Sequence, residues 1–174
     1  KPFMWQPTNT PEQDRARKLA ELQERGVQPY PNRVRRTHTA REAVRAFETA
    51  EAANPDSPAP LTVTVCGRIV RQNLKGKVFF AHIEDGSGRV QLFARIDGVG
   101  EETFEMIRRH LDLGDFVQAR GTMMRTRAGE VSVLVDELAL LAKALSPLPV
   151  IKERVADDGS VERYGAFSDV EERY

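Results

Sequence analysis

The sequence predicts a mainly β protein, α+β overall: a small five-stranded barrel with one helix between its third and fourth strands, carried behind N-terminal helices. Three observations lead there. Apolar residues recur at helical spacing up to about residue 53, the stretch 54–60 is rich in proline, and from Leu61 onward the apolar period switches to two. With 174 residues the chain can bury one substantial core with appendages, while two full-size domains would be crowded.

Charge and cysteine content narrow the function classes. Lys+Arg and Asp+Glu are equal at 26 each, so there is no global basic field and any nucleic-acid site must be local. The single cysteine, Cys66, excludes an internal disulfide and a cysteine-based zinc cluster, and its apolar neighbours predict a buried, inert thiol. No apolar run approaches the ~20 residues of a membrane span, and no signal-like leader is evident, so a soluble, cytoplasmic protein without a membrane partner is expected. The start at Lys1 and the stop at Arg173-Tyr174 read as the ends of an excised piece.

The helices come first. Thr10-Pro11-Glu12-Gln13 combines a threonine cap, proline at the first helical position and a glutamine three residues after the cap. Leu19 and Leu22 supply an apolar stripe until Gly26, ahead of Pro29 and Pro31, with Arg15, Arg17, Lys18 and Arg25 expected to be exposed. Thr39-Ala40-Arg41-Glu42 is a capping box opening a shorter helix with Ala43, Val44 and Phe47 on one side. The stretch from Asn54 to Pro60 cannot continue a helix. The expected division is a helical extension over 1–53, a linker over 54–60, a barrel over 61–145, and a linker towards a further domain over 146–174.

After Pro60, Leu61 to Val70, Val78 to Ile83, Arg89 to Arg95, Phe116 to Met124 and Glu130 to Leu138 are strand candidates rich in Val, Ile, Leu and Phe. Asp85-Gly86-Ser87-Gly88 and Arg127-Ala128-Gly129 read as hairpin turns. A helix with Glu101 and Glu102 at its start, Arg108 and Arg109 at its end, and Phe104, Ile107 and Leu111 on its apolar face lies between the third and fourth strands. Three strands, a helix and two strands is the order of an OB-fold, a Greek-key barrel whose strand face binds oligonucleotides.

Alternation along the strands assigns faces. Phe79, Ala81 and Ile83 point inward, leaving Phe80 on the side of Val78 and His82; Val90, Leu92 and Ala94 point inward, leaving Arg89, Gln91, Phe93 and Arg95 outside. Val131, Val133 and Val135 form the inner set of the last strand, with Glu130, Ser132 and Asp136 outside. Phe80, Gln91 and Glu130 therefore converge on one outer surface. An aromatic ring there offers a stacking platform worth roughly 1 to 3 kcal/mol per base. Gln supplies a donor and an acceptor and ionised Glu only accepts, a set that matches uracil, whose edge has one N–H between two carbonyl oxygens, and meets cytosine poorly. Arg68, Arg71, Lys75 and Lys77 form a basic stretch suited to phosphates, with Arg125 and Arg127 as further candidates.

Other features carry less. A single exposed Phe, Gln or Glu is ordinarily just surface, and on geometry alone the surface and site readings both stay open. His38, His82 and His110 lie in different elements and read as surface or packing residues, with no metal expected. Gly86-Ser87-Gly88 lacks the following helix and Lys-Ser/Thr of a phosphate loop.

Gly67-Arg68-Ile69-Val70, Gly76-Lys77-Val78-Phe79-Phe80 and Gly88-Arg89-Val90-Gln91-Leu92-Phe93 resemble the anticodon-binding domain of the class IIb aminoacyl-tRNA synthetases for Lys, Asp and Asn. Leu113-Gly114-Asp115-Phe116-Val117, Arg125-Thr126-Arg127-Ala128-Gly129-Glu130 and the run from Leu140 to Pro149 narrow the resemblance to lysyl-tRNA synthetases. Lys18 to Leu22, Pro29-Tyr30-Pro31 and Thr37-His38-Thr39 are similar to that family's N-terminal helical region, and Glu171 to Tyr174 to the lead-in of the first class II motif. The resemblance implies that Phe80 is the stacking aromatic, that Gln91 reads the middle anticodon base, that Glu130 is a base-reading glutamate, that Arg68 belongs to the same site, and that Asn73 stands where related enzymes often place an arginine in the loop between the first two strands, with Arg71 or Lys75 as substitutes. It also implies a lysine tRNA partner, a homodimeric parent enzyme that uses ATP and Mg²⁺ to attach lysine, and no cofactor and no catalytic residue in this piece. Two alternatives remain: the corresponding domain of an aspartyl or asparaginyl enzyme, and a free-standing OB module binding single-stranded nucleic acid without sequence preference.

Overall fold

Period-two burial closes the sheet on itself. In the computed structural model, which describes residues 6–7, 9–147, 152–155 and 161–164, the order is α1 (Thr10–Glu24), α2 (Ala40–Ala53), β1 (Thr62–Lys75), β2 (Val78–Asp85), β3 (Gly88–Arg95), a one-turn α3 (Ile96–Val99), α4 (Glu101–His110), β4 (Phe116–Arg125) and β5 (Val131–Ala142). A two-stranded hairpin of β6 (Lys152–Val155) and β7 (Val161–Tyr164) follows, inside the stretch expected as a linker. Leu148, Pro149 and the run from Glu171 to Tyr174 lie outside the described residues. Strands β1 to β5 close a barrel in the order β1-β2-β3-β5-β4. Every neighbouring pair is antiparallel except β3 with β5. This is the mainly β, five-stranded OB barrel with a helical crossing between β3 and β4, preceded by helices. Inward residues such as Val65, Ile69, Phe79, Ile83, Leu92, Val117 and Val133 fill it, and α4 adds Phe104 and Ile107.

The barrel depends on close backbone approach. At a β-bulge between Arg120 and Gly121, a Cβ on Gly121 would lie 2.0 Å from the Leu134 carbonyl oxygen, so only glycine lets β4 cross β5 there.

Strand β1 runs on to Lys75, past the expected end at Val70. A bulge between Ile69 and Arg71 shifts the register, after which Arg71, Gln72, Asn73, Leu74 and Lys75 keep pairing with β2. Apolar alternation fades there because the hairpin projects beyond the core, while the ladder hydrogen bonds continue. Asn73 is thus a strand residue, where the resemblance had put it in a loop.

The helices also differ in detail from their sequence signals. The cap of α1 is Asn9, one residue ahead of Thr10: its side chain accepts from the Glu12 backbone N–H, and Pro11 keeps a place in the first turn. Arg15 and Lys18 are not the exposed cations expected. Arg15 is buried and donates to the carbonyls of Ala144 and Leu113 at 2.8 and 3.0 Å, and Lys18 pairs with Asp112 at 2.8 Å. Beside them Lys143, with its side chain fully buried, donates to Asp115 (2.7 Å), to Asp112 and to the His110 carbonyl (2.7 Å). The run starting at Leu140 is therefore a lock joining the end of β5 to α1 and α4. The box at Thr39 forms as expected, with Glu42 accepting from the Thr39 N–H and Thr39 from the Glu42 N–H.

Helix α2 lies against β3 and buries Ala40, Ala43 and Phe47. The β2–β3 turn holds its start: Asp85 Oδ2 accepts from the Ala40 N–H at 2.9 Å and Ser87 Oγ from the Arg41 N–H at 3.1 Å. Burial pushes the Asp85 carboxyl up, but hydrogen bonds from Ser87, Ala40 and Gly88 outweigh that and hold it below the usual carboxylate value. The other end of α2 is held from the far hairpin. Arg125 grips Glu51 through two nitrogens, at 2.9 and 2.6 Å, and spends its third on the Gly129 carbonyl.

Candidate nucleic-acid interface

On the outer face of β1, β2, β3 and β5 the registers line residues up in rows. Lys75, Val78 and Arg95 form one; Asn73, Phe80, Phe93 and Leu134 the next; Arg71, His82, Gln91 and Ser132 the third; and Arg68, Glu84 and Arg89 the last. Residues directly opposite on paired strands share a face, so these rows form a single surface.

The second and third rows carry its chemistry. Phe80 and Phe93 stack with ring centroids 4.9 Å apart and planes 15° from parallel, a double platform where alternation had singled out one ring. Beside it, Glu130 Oε2 accepts from Gln91 Nε2 at 2.7 Å and Glu130 Oε1 lies 2.6 Å from His82 Nε2. Ser132 Oγ lies 2.7 Å from Gln91 Oε1. The polarity of this chain follows from one residue. An ionised carboxylate only accepts, so the glutamine must turn its NH₂ and the histidine its N–H towards Glu130. The amide oxygen then faces Ser132, whose hydroxyl donates to it. Ser132, expected outside, is fully buried, because it sits beneath the Gln91 side chain where β5 runs parallel to β3.

Phe80, Gln91 and Glu130 line a single cleft of about 490 Å³, together with Phe93, Arg95, Met124, Thr126, Arg127 and Ala128. The expected cations divide into three groups. Arg127 is in the cleft wall. Arg71 and Lys75 flank Asn73 on β1, opposite His82 and Val78, and Lys77 occupies the β1–β2 turn, where its carbonyl accepts from the Ile96 N–H at 3.1 Å. Arg68 is in the last row with its guanidinium 4.8 Å over the Phe116 ring, and Arg125 is engaged with Glu51, so both already have protein partners. Among the described residues no group of three or more His, Cys, Asp or Glu is placed to hold a metal ion. Cys66 is half-buried, burial pushing its thiol up, and it lies on β1 opposite Gln118, away from these rows.

Residues 63–141 match the family model for the OB-fold nucleic-acid-binding domain. The barrel belongs to that family. Across most of its length the chain is similar to lysine–tRNA ligases: 43% identical over 92% of the chain to that of Chloroflexus aurantiacus, 38% over 92% to that of Pelotomaculum thermopropionicum, and 43% over 78% to that of Cupriavidus necator. It corresponds to their N-terminal, anticodon-binding region. The chain spans 29%, 28% and 26% of these relatives' lengths.

Two residues of the OB-fold surface escaped the sequence reading. His82 passed for ordinary surface, although alternation had put it on the side of Phe80; its link to Glu130 depends on the β4–β5 hairpin, which brings residue 130 beside β3 so that its side chain reaches His82 on β2. Ser132 shows no sign in a sequence, since its burial comes from the parallel β3–β5 pairing.

Proposed function

We propose that this chain binds the anticodon arm of lysine tRNA, as the RNA-reading part of a lysine–tRNA ligase. One observation carries the reading: the polarised chain Ser132–Gln91–Glu130–His82 lies beside the Phe80–Phe93 stack at the mouth of one cleft. A base stacked on Phe80 puts its edge towards Gln91 and Glu130, where the free amide N–H can donate to one uracil carbonyl and the remaining acceptor positions of Glu130 can take the adjoining N–H. Arg71, Lys75, Lys77 and Arg127 supply charge for the flanking phosphates. Arg68 and Asn73 belong to the same surface, Arg68 at its edge and Asn73 opposite Phe80. The kinship with lysine–tRNA ligases supports lysine tRNA as the partner and, for the whole protein, attachment of lysine with ATP and Mg²⁺ by a homodimer.

Fluorescence anisotropy with a labelled lysine anticodon stem–loop tests this. The middle-uracil RNA is expected to bind at least about tenfold tighter than one with cytosine there. Equal binding would leave only a module without sequence preference.

A further inference from the structure

We infer that the RNA track does not end at Glu130 but continues as a groove between α2 and the barrel, where Arg41, Arg45 and Arg89 take the phosphates of the strand adjoining the stacked base. The inference rests on the proposed anticodon reading and extends it to a site on a helix outside the barrel.

Gln91 and Glu130 are a divide with a cleft on each side. Beyond it, a second cleft of about 330 Å³ is walled by Val44 and Glu48 of α2 and by His82, Gln91, Arg89 and Arg125 of the barrel. That cleft shares Val44, Glu48 and Arg89 with a third, of about 260 Å³, which Arg41, Arg45 and Gly88 complete. Residues of β3 line the three in turn, from Phe93 past Gln91 to Arg89, about 13 Å at ~3.3 Å per residue. The path starts at the stacking platform and ends at three guanidinium groups.

The state of those arginines points to a ligand that brings negative charge. Arg15, Arg17, Arg95, Arg120 and Arg125 each hold a carboxylate or carbonyl of the protein. Arg41 and Arg45, among the described residues, have no ion-pair or hydrogen-bonding partner for their guanidinium groups, and Arg89 has only the exposed Glu84. Arg41 is also held in place. Its backbone is pinned by Ser87, and its side chain lies over Gly88, where an added Cβ would stand 3.9 Å from the Arg41 Cβ and Nε. Two acids line the groove, Glu48 in both clefts and Glu130 at the divide, against Arg41, Arg45, Arg89 and Arg125, so it is basic on balance and not uniformly so. The occupant is a nucleic-acid strand: its phosphates answer the arginines, and the groove borders the base cleft across Gln91 and Glu130, which line both.

The test is a salt titration of the intact chain with the labelled lysine anticodon stem–loop. In R41Q/R45Q, affinity is expected to fall about three- to tenfold at low salt and the slope of log K against log salt to flatten by about 1.4, roughly 0.7 for each single-strand phosphate no longer neutralised. The preference for the middle uracil should survive, since neither arginine touches the base cleft. R41K/R45K should restore most of the slope, which a merely structural role would not do. Phe80→Ala serves as the parallel control. If Phe80→Ala weakens binding while R41Q/R45Q keeps wild-type affinity and slope, the groove inference falls alone; if Phe80→Ala changes nothing, the base site on which it rests falls too.

Discussion

Ser132 is a small residue with a large effect on what its neighbours can say to a base. A buried hydroxyl donating to Gln91 Oε1 stops the amide from turning over, so the side chain shows an incoming base one fixed pattern. Ser132→Ala is expected to leave the fold and the salt dependence of RNA binding intact while cutting the uracil-over-cytosine preference about three- to tenfold, read by competition anisotropy. Glu130→Gln should do more. It replaces an obligate acceptor with a group that also donates, so discrimination relaxes while overall affinity changes little; unchanged selectivity in that variant would remove Glu130 from the reading role. Alternation placed both residues on the outer face. Only the hydrogen-bond chain tells that one of them sits under another side chain.

Among the elements, the β2–β3 hairpin and α2 are each other's support. Asp85 caps α2 with a carboxyl held below its ordinary value, hence stabilising at neutral pH. A lowered folded pKa means that this stability is fully present above the unfolded value near 4 and drains away as pH falls through the folded value. Wild-type urea midpoints are therefore expected to drop below about pH 4, and Asp85→Asn to lower stability at pH 7 by about 1 kcal/mol and flatten that drop. Gly121→Ala belongs at this scale as well, since a methyl 2.0 Å from the Leu134 oxygen forces β4 off β5. A loss of about 3 kcal/mol or more, read by thermal or urea unfolding, is expected. Much at this scale was legible in sequence. Thr39 and Glu42 announced the start of α2, and valine-rich alternation announced the barrel strands. The polar end of β1 was not, because hydrogen bonds to β2 rather than buried side chains hold it, and a one-residue bulge hides the phase. Nor was the cap of α1, where Asn9 and Thr10 are both good caps and Pro11 fits the first turn after either.

At the scale of the whole molecule, α1 is tied to the barrel through charge. Arg15, Lys18 and Lys143 converge on Asp112, Asp115 and the carbonyls of Leu113 and Ala144. Lys143→Met would leave Asp115 buried without its cation, and a loss of about 3 to 5 kcal/mol in urea unfolding is expected. Arg15 and Lys18 were expected to face solvent, because a long polar side chain on a helix gives no hint of a distant partner. Helix α2, by contrast, is pinned at one end by the hairpin that carries Phe80 and Gln91, and at the other by Arg125, which also holds the hairpin that carries Glu130. It contributes nothing to the contact between Gln91 and Glu130, yet it spans the two arms on which they ride and sets the gauge between them. Warming that loosens α2 should therefore blur the distinction between bases while the rings still stack, so that fidelity is lost at a lower temperature than grip.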